Sequence, residues 1–225
     1  MRKVIPAVLP LTFYELKEKL ELLKGVAREV QIDVTDGFFA GRTSWPLAKA
    51  DKNFEKIIEG EEGMPYWENF DFEIDLMVKN PFSIAEDFVK AGAAKIIFHL
   101  ASFPESDISK LETFKNEGIV EVGIAVMTGE SIEKIKNILP FADFVQVMGI
   151  RRIGYQGEPF DEKVPDFIKL LKTEFPDLVI SVDGGMNPET ADKVFDAGAD
   201  RVIAGSFILN STNPIEAVKE IEGLL

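Results

Sequence analysis

Short apolar runs rich in Val and Ile alternate along the chain with longer segments whose apolar residues recur at helical spacing. The runs lie at 3–9 (KVIPAVL), 29–34 (EVQIDV), 72–78 (FEIDLMV), 95–101 (KIIFHLA), 120–126 (VEVGIAV), 143–148 (DFVQVM), 178–183 (LVISVD) and 201–205 (RVIAG), and each predicts a strand. Helices are predicted between them over 12–24, 46–59, 81–91, 105–117, 130–138, 161–175, 188–197 and 213–224. Asn80-Pro81, Asn187-Pro188 and Asn213-Pro214 each set a capping side chain ahead of a proline at the first helical position, and Gly92, Gly118 and Gly198 mark far ends.

Runs that are apolar on both faces belong to strands covered on both sides, the condition of a parallel sheet. Eight strand–helix units close as an α/β fold of the TIM (β/α)8 barrel type. A local echo supports repeated units: Ala91-Gly92-Ala93-Ala94-Lys95-Ile96-Ile97 resembles Ala197-Gly198-Ala199-Asp200-Arg201-Val202-Ile203. An open doubly wound sheet would ask for a Gly-rich turn after its first strand, where Pro10-Leu11-Thr12 stands instead. The charged stretch 59–69 (EGEEGMPYWEN) reads as a solvated helix-to-strand loop, not a linker, so one barrel domain is expected over residues 1–225.

Composition narrows the chemistry. The 225 residues include no Cys and one His, which excludes disulfides, thiolate metal sites and a thiol nucleophile, and forbids a metal site needing two imidazoles from one chain. A formal charge of −14 and the absence of a basic stripe argue against nucleic acid and anionic membranes as partners. Met1-Arg2-Lys3 followed by an apolar run faintly imitates a signal peptide, but Pro6 and Pro10 interrupt it, and no apolar stretch approaches the ~20 residues of a membrane span. A cytoplasmic protein is expected. Trp45, Trp67 and the phenylalanines read as core or subunit contacts.

In such a barrel, chemistry sits at the carboxyl ends of the strands. The second strand ends Gln31-Ile32-Asp33-Val34-Thr35-Asp36-Gly37, and alternation sends Gln31, Asp33 and Thr35 to one face. Asp33 is either a buried carboxylate inside the barrel or a turn cap, while Asp36 reads as structural. The seventh strand ends Asp183-Gly184-Gly185, a carboxylate and two glycines that let amides approach an anion, unless Asp183 merely orients the turn. The eighth ends Gly205-Ser206, and the last two strand loops together match the usual phosphate site of these barrels. Local amide dipoles there outweigh a screened distant field, so net acidity does not exclude an anionic substrate. Asp75, at the end of the third strand, either joins the same mouth or pairs with Lys79.

With these residues in view, the chain resembles the ribulose-phosphate 3-epimerase family over nearly its whole length. The resemblance lies in Pro6 to Leu9, D-V-x-D-G-x-F at Asp33 to Phe39, L-M-V-x-N-P at Leu76 to Pro81, Phe141 to Met148, V-D-G-G-x-N at Val182 to Asn187 and Ala197 to Phe207. It implies a ribulose-phosphate-binding TIM barrel that interconverts ribulose 5-phosphate and xylulose 5-phosphate by moving a proton at C3. Asp33 and Asp183 match the two catalytic carboxylates, Met77 and Met148 match methionines of the site floor, and Gly154 and Gly157 keep part of a loop that wraps phosphate. A small phosphorylated sugar is the implied partner, and barrels of this kind often assemble as homo-oligomers.

The chain departs from the family where a divalent metal is bound by two His and two Asp. Gln31 and Asp75 stand in place of those histidines, so Gln31, Asp33, Asp75 and Asp183 are candidates for an oxygen-rich site suited to Mg²⁺ or Mn²⁺ more than Zn²⁺, with a metal-free site equally open. Ala7 replaces a family serine and Thr35 a methionine. The loop 149–160 has gained a residue and carries Arg151 and Arg152, which either grip an anion or lie idle at the surface. His99 reads as a hydrogen-bonded interior or site-wall histidine. Two other functions compete. One is a decarboxylase or aldolase of related barrels, whose D-x-K-x-x-D motif finds Met77 in place of its lysine and Asn80 in place of its last acid. The other is a noncatalytic sugar-phosphate binder.

Overall fold

Each of the eight apolar runs forms a strand: β1 (Lys3–Val8), β2 (Glu29–Thr35), β3 (Asp71–Met77), β4 (Lys95–His99), β5 (Glu121–Val126), β6 (Phe144–Met148), β7 (Ile180–Asp183) and β8 (Arg201–Ala204). In this computed structural model, which describes residues 2–49, 51–116, 118, 120–154 and 158–224, all eight pair in parallel, and β8 returns to β1 to close a barrel. Closure leaves no open edge. It also explains the doubly apolar runs, since one face of each strand meets helices and the other meets the barrel interior.

The helices are α1 (Phe13–Leu23), α2 (Lys52–Ile58), α3 (Phe82–Lys90), α4 (Leu111–Asn116), α5 (Ile132–Ile138), α6 (Val164–Glu174), α7 (Pro188–Asp196), α8 (Ser206–Leu209) and α9 (Pro214–Glu222). On α1 the apolar residues Leu16, Leu20 and Leu23 recur at one face and are fully buried, each contributing about 1.5–3 kcal/mol by leaving water. Asn187 builds a capping box with Thr190, and Asn213 accepts from the amide of Glu216, as expected.

Several expectations are corrected. Asn80 does not cap: it sits at φ 57 outside the helix, and α3 starts after Pro81. The helix predicted from 46 begins only at Lys52, where Asp51 accepts from the amides of Asn53 and Phe54. The one predicted over 105–117 starts as a 3-10 segment, Glu105–Lys110, before α4. The one-turn helix α8 was not anticipated, and the stretch 59–69 is not wholly solvated, because Met64 packs into the core.

Trp45 is 1% exposed and stands among Phe13, Phe54 and Phe88, with ring centroids 5.9, 5.3 and 6.3 Å away, whereas Trp67 lies at the surface. The barrel interior is less apolar than the branched aliphatic filling usual for such barrels. Ile5, Ala7 and Ile203 form one apolar wall, and Ile97, Ala125, Phe144 and Met148 form another. Buried polar residues complete the interior. At its lower end Arg201 lies over the Phe144 ring, donates to Ser181 and pairs with Glu73, with Nη1 3.2 Å from Oε2. At its upper end lie three aspartates.

Candidate functional site

The alternation of β2, β3 and β7 brings Asp33, Asp75 and Asp183 together at the carboxyl end of the barrel, with one oxygen of each within 4.8 Å of the others. Asp33 and Asp75 are buried, and Asp183 is half-buried. Asp33 is therefore not a turn cap. That task falls to Asp36, which accepts from the amides of Phe38 and Phe39 at 2.8 Å and ties the loop to the segment following β3 by accepting from Lys79 N at 2.7 Å. Asp75 does not pair with the Lys79 side chain. Its Oδ1 lies 2.8 Å from His99 Nε2, and its Oδ2 accepts from Gln146 Nε2 at 3.1 Å, so His99 is the hydrogen-bonded interior histidine expected.

Gln31 lies one layer lower and donates from Nε2 to Asp33 Oδ1 at 2.9 Å and to Asp183 Oδ2 at 3.4 Å. Its Oε1 is buried without a hydrogen-bond partner, as is Oε1 of Gln146. Burial pushes the Asp33 carboxyl up to about 8; the charge of Asp75 adds to the rise and the Gln31 hydrogen bond partly opposes it. Burial, and then the charges of Asp33 and Asp75, also hold Asp183 well above the ordinary carboxylate range.

Above the aspartates opens a cleft of about 560 Å³, counted to its open mouth. Asp33, Met77, Met148, Gly154, Asp183, Gly184, Gly185, Gly205 and Ser206 all line it. Gly184 (φ 105) and Gly185 (φ 71) adopt left-handed conformations that L side chains rarely adopt, which turns the chain out of β7 into α7. Gly154 packs so tightly on Ala40 that an added Cβ would come within 2.5 Å of the alanine methyl. Gly157, the remaining residue expected here, lies outside the described residues.

Arg151 and Arg152 do not line this cleft. Arg151 Nε lies 3.3 Å from Asp161, and Arg152 makes a forked contact with Glu158 at 3.0 and 2.5 Å. Glu158, which does line the cleft, was missed by sequence reasoning, as was Gln146. For Gln146 a signal existed, a lone polar residue in the otherwise apolar strand Phe144–Met148.

The three carboxylates have the spacing of a site that could hold a divalent cation. The donors present are hard oxygens, and the unpartnered Oε1 of Gln31 would add a fourth once its carboxamide, which now turns Nε2 to Asp33 and Asp183, is reversed. The nitrogen of His99 that faces the cluster is engaged by Asp75. The set fits Mg²⁺ or Mn²⁺ better than the N and S ligation that zinc prefers.

Comparison with known proteins agrees with this geometry. The model of the ribulose-phosphate 3 epimerase family matches residues 3–209. The chain is 30% identical to ribulose-phosphate 3-epimerase of Bacillus subtilis, over 99% of each chain. It is 28% identical to the enzyme of that name from Candida glabrata, over 96% of this chain and 89% of the relative. Among solved structures, 3-hexulose-6-phosphate synthase from Salmonella typhimurium has a TM-score of 0.69 at 18% identity, covering 99% of this chain and 98% of the other. KGPDC from Streptococcus mutans has a TM-score of 0.66 at 13% identity, covering 99% and 95%. At such identities the likeness in structure speaks for the barrel alone. No helix among the described residues is long and apolar enough to cross a membrane. By its sequence from β1 to α8, and with the barrel to match, the chain belongs to the ribulose-phosphate 3 epimerase family.

Proposed function

We propose that this protein is an isomerase of ketose phosphates that interconverts D-ribulose 5-phosphate and D-xylulose 5-phosphate by proton transfer at C3. The observation that carries the reading is the convergence of Asp33 and Asp183, from different parts of the barrel, on the floor of one cleft. One carboxylate takes the C3 proton, electron density moves onto the C2 oxygen as an enediolate forms, and the other carboxyl returns a proton from the opposite face. In the reverse direction the roles exchange. Burial supports this, because two coupled carboxyls out of water share a proton in a range where ordinary carboxylates have lost theirs, which leaves one as base and the other as acid.

Amides of Gly184, Gly185, Gly205 and Ser206 would take the phosphate, with Met77 and Met148 as apolar walls. Asp33, Asp75, Asp183 and the carbonyl oxygen of Gln31 would hold Mg²⁺ or Mn²⁺, which when bound supplies positive charge to the enediolate. The decarboxylase or aldolase reading is weaker, because the apolar Met77 lines the cleft where that chemistry needs a lysine. Nothing in a noncatalytic binder of anionic sugars calls for two carboxyls facing the same cleft. The deciding experiment is proton exchange at C3 of ribulose 5-phosphate in deuterated water, followed by NMR. Incorporation at C3 with formation of xylulose 5-phosphate supports the reading, while tight binding without exchange would leave a phosphosugar-binding barrel.

A further inference from the structure

We propose that Gln31 is the positioning residue that makes Asp33 and Asp183 a working pair, presenting its carboxamide nitrogen to them when they stand bare and its carboxamide oxygen when a divalent cation joins them. The proposal rests on the reading of those two carboxyls as the proton carriers. Its ground is geometric. From β2, Gln31 Nε2 reaches Asp33 on its own strand at 2.9 Å and Asp183 on β7 at 3.4 Å, and among the described residues no second side chain donates to both.

The residue is fully buried, and its Oε1 accepts nothing. An idle buried acceptor costs folding free energy, and beside three carboxylates it is a ligand of the kind a hard cation takes. The two ends of a carboxamide are nearly equal in size, so a half-turn of its terminal torsion exchanges nitrogen for oxygen without moving β2. With nitrogen inward, the two N–H bonds hold one oxygen of each carboxylate and set their separation. With oxygen inward, the same side chain completes a set of hard donors. Asp75 does not depend on the exchange, because its oxygens are held by His99 and Gln146.

Two substitutions separate the ends. Gln31→Met keeps volume and offers neither; Gln31→Glu offers oxygen only. C3 exchange would be measured in chelator and at saturating Mn²⁺, and Mn²⁺ affinity by electron paramagnetic resonance of the free ion. Wild type is expected to exchange in chelator within about tenfold of its Mn²⁺ rate, whereas Gln31→Met loses about 10–100-fold in kcat there at unchanged KM and binds Mn²⁺ about tenfold more weakly. Gln31→Glu is expected to lose exchange in chelator while binding Mn²⁺ at least as tightly as wild type. A space-filling role would lower the melting temperature and leave Mn²⁺ affinity untouched. Wild-type exchange with Gln31→Met unchanged, or Mn²⁺ affinity equal in the two, overturns the proposal alone. Absence of exchange in wild type under both conditions overturns the epimerase reading and this proposal with it.

Discussion

His99 Nε2 lies 2.8 Å from Asp75 Oδ1, and both side chains are buried beneath the cleft. Removing the donor leaves a buried carboxylate short of one partner. His99→Phe is therefore expected to lower the free energy of unfolding by about 1–3 kcal/mol, and His99→Gln, which can place a side-chain N–H in the same region, to recover part of the loss. Urea unfolding of the two variants checks this; equal loss in both would show that ring packing on Phe39, not the hydrogen bond, is what matters.

Asp33→Asn and Asp183→Asn each remove one proton carrier and keep the shape of the site. Exchange at C3 should fall by about 10²–10⁴-fold in either, with KM for ribulose 5-phosphate nearly unchanged. Retention of full exchange in one of them would remove that residue from the reaction.

The Asp33 carboxyl also links stability to pH. Its value is about 8 in the fold against 3.8 for the free side chain, so between those values the folded state holds a proton that the unfolded chain has released. Stability contributed by this group is present below the unfolded value and is lost as pH rises through about 8. The gain in melting temperature of Asp33→Asn over wild type should thus be small near pH 4 and grow toward pH 8. A gain that does not change with pH would contradict the assignment.

Glu29 behaves oppositely. Burial alone would raise its carboxyl, but hydrogen bonds and charge from Lys3 and Lys95 outweigh that and hold it at about 2, against an ordinary 4.5. Its contribution is present above the ordinary value and lost as pH falls through about 2. Glu29→Gln should melt below wild type at pH 7, and the two curves should converge on acidification.

Gly149 meets the turn after β7 at its closest point. A Cβ there would stand 2.2 Å from the carbonyl oxygen of Gly184, a backbone atom without freedom to swing aside. Gly149→Ala is expected to displace the Gly184-Gly185 turn and raise KM for the phosphorylated substrate by about tenfold or more, measured in steady-state kinetics. An unchanged KM would show that this turn does not hold the phosphate.

The strands and most helix starts were legible because they rest on local physics. Short runs apolar on both faces mark β1 to β8, and Asn187 and Asn213 cap amides only three residues away. Local reading failed where the backbone took a left-handed turn, as at Asn80, and where a helix was one turn long, as at Ser206–Leu209. The candidate carboxylates were visible one by one, since a charged residue inside an apolar strand needs a reason to be there.

Their partnerships were not. Asp75 meets His99 from 24 residues away and Gln146 from 71, and Gln31 meets Asp183 from 152. No local pattern encodes such distances. Residue order and alternation settled which side chains share a face of each strand and at what level, but only barrel closure decided that the acids of β2, β3 and β7 turn inward and share one volume. Their charge states follow from that volume, because desolvation and mutual repulsion act across space and not along the chain.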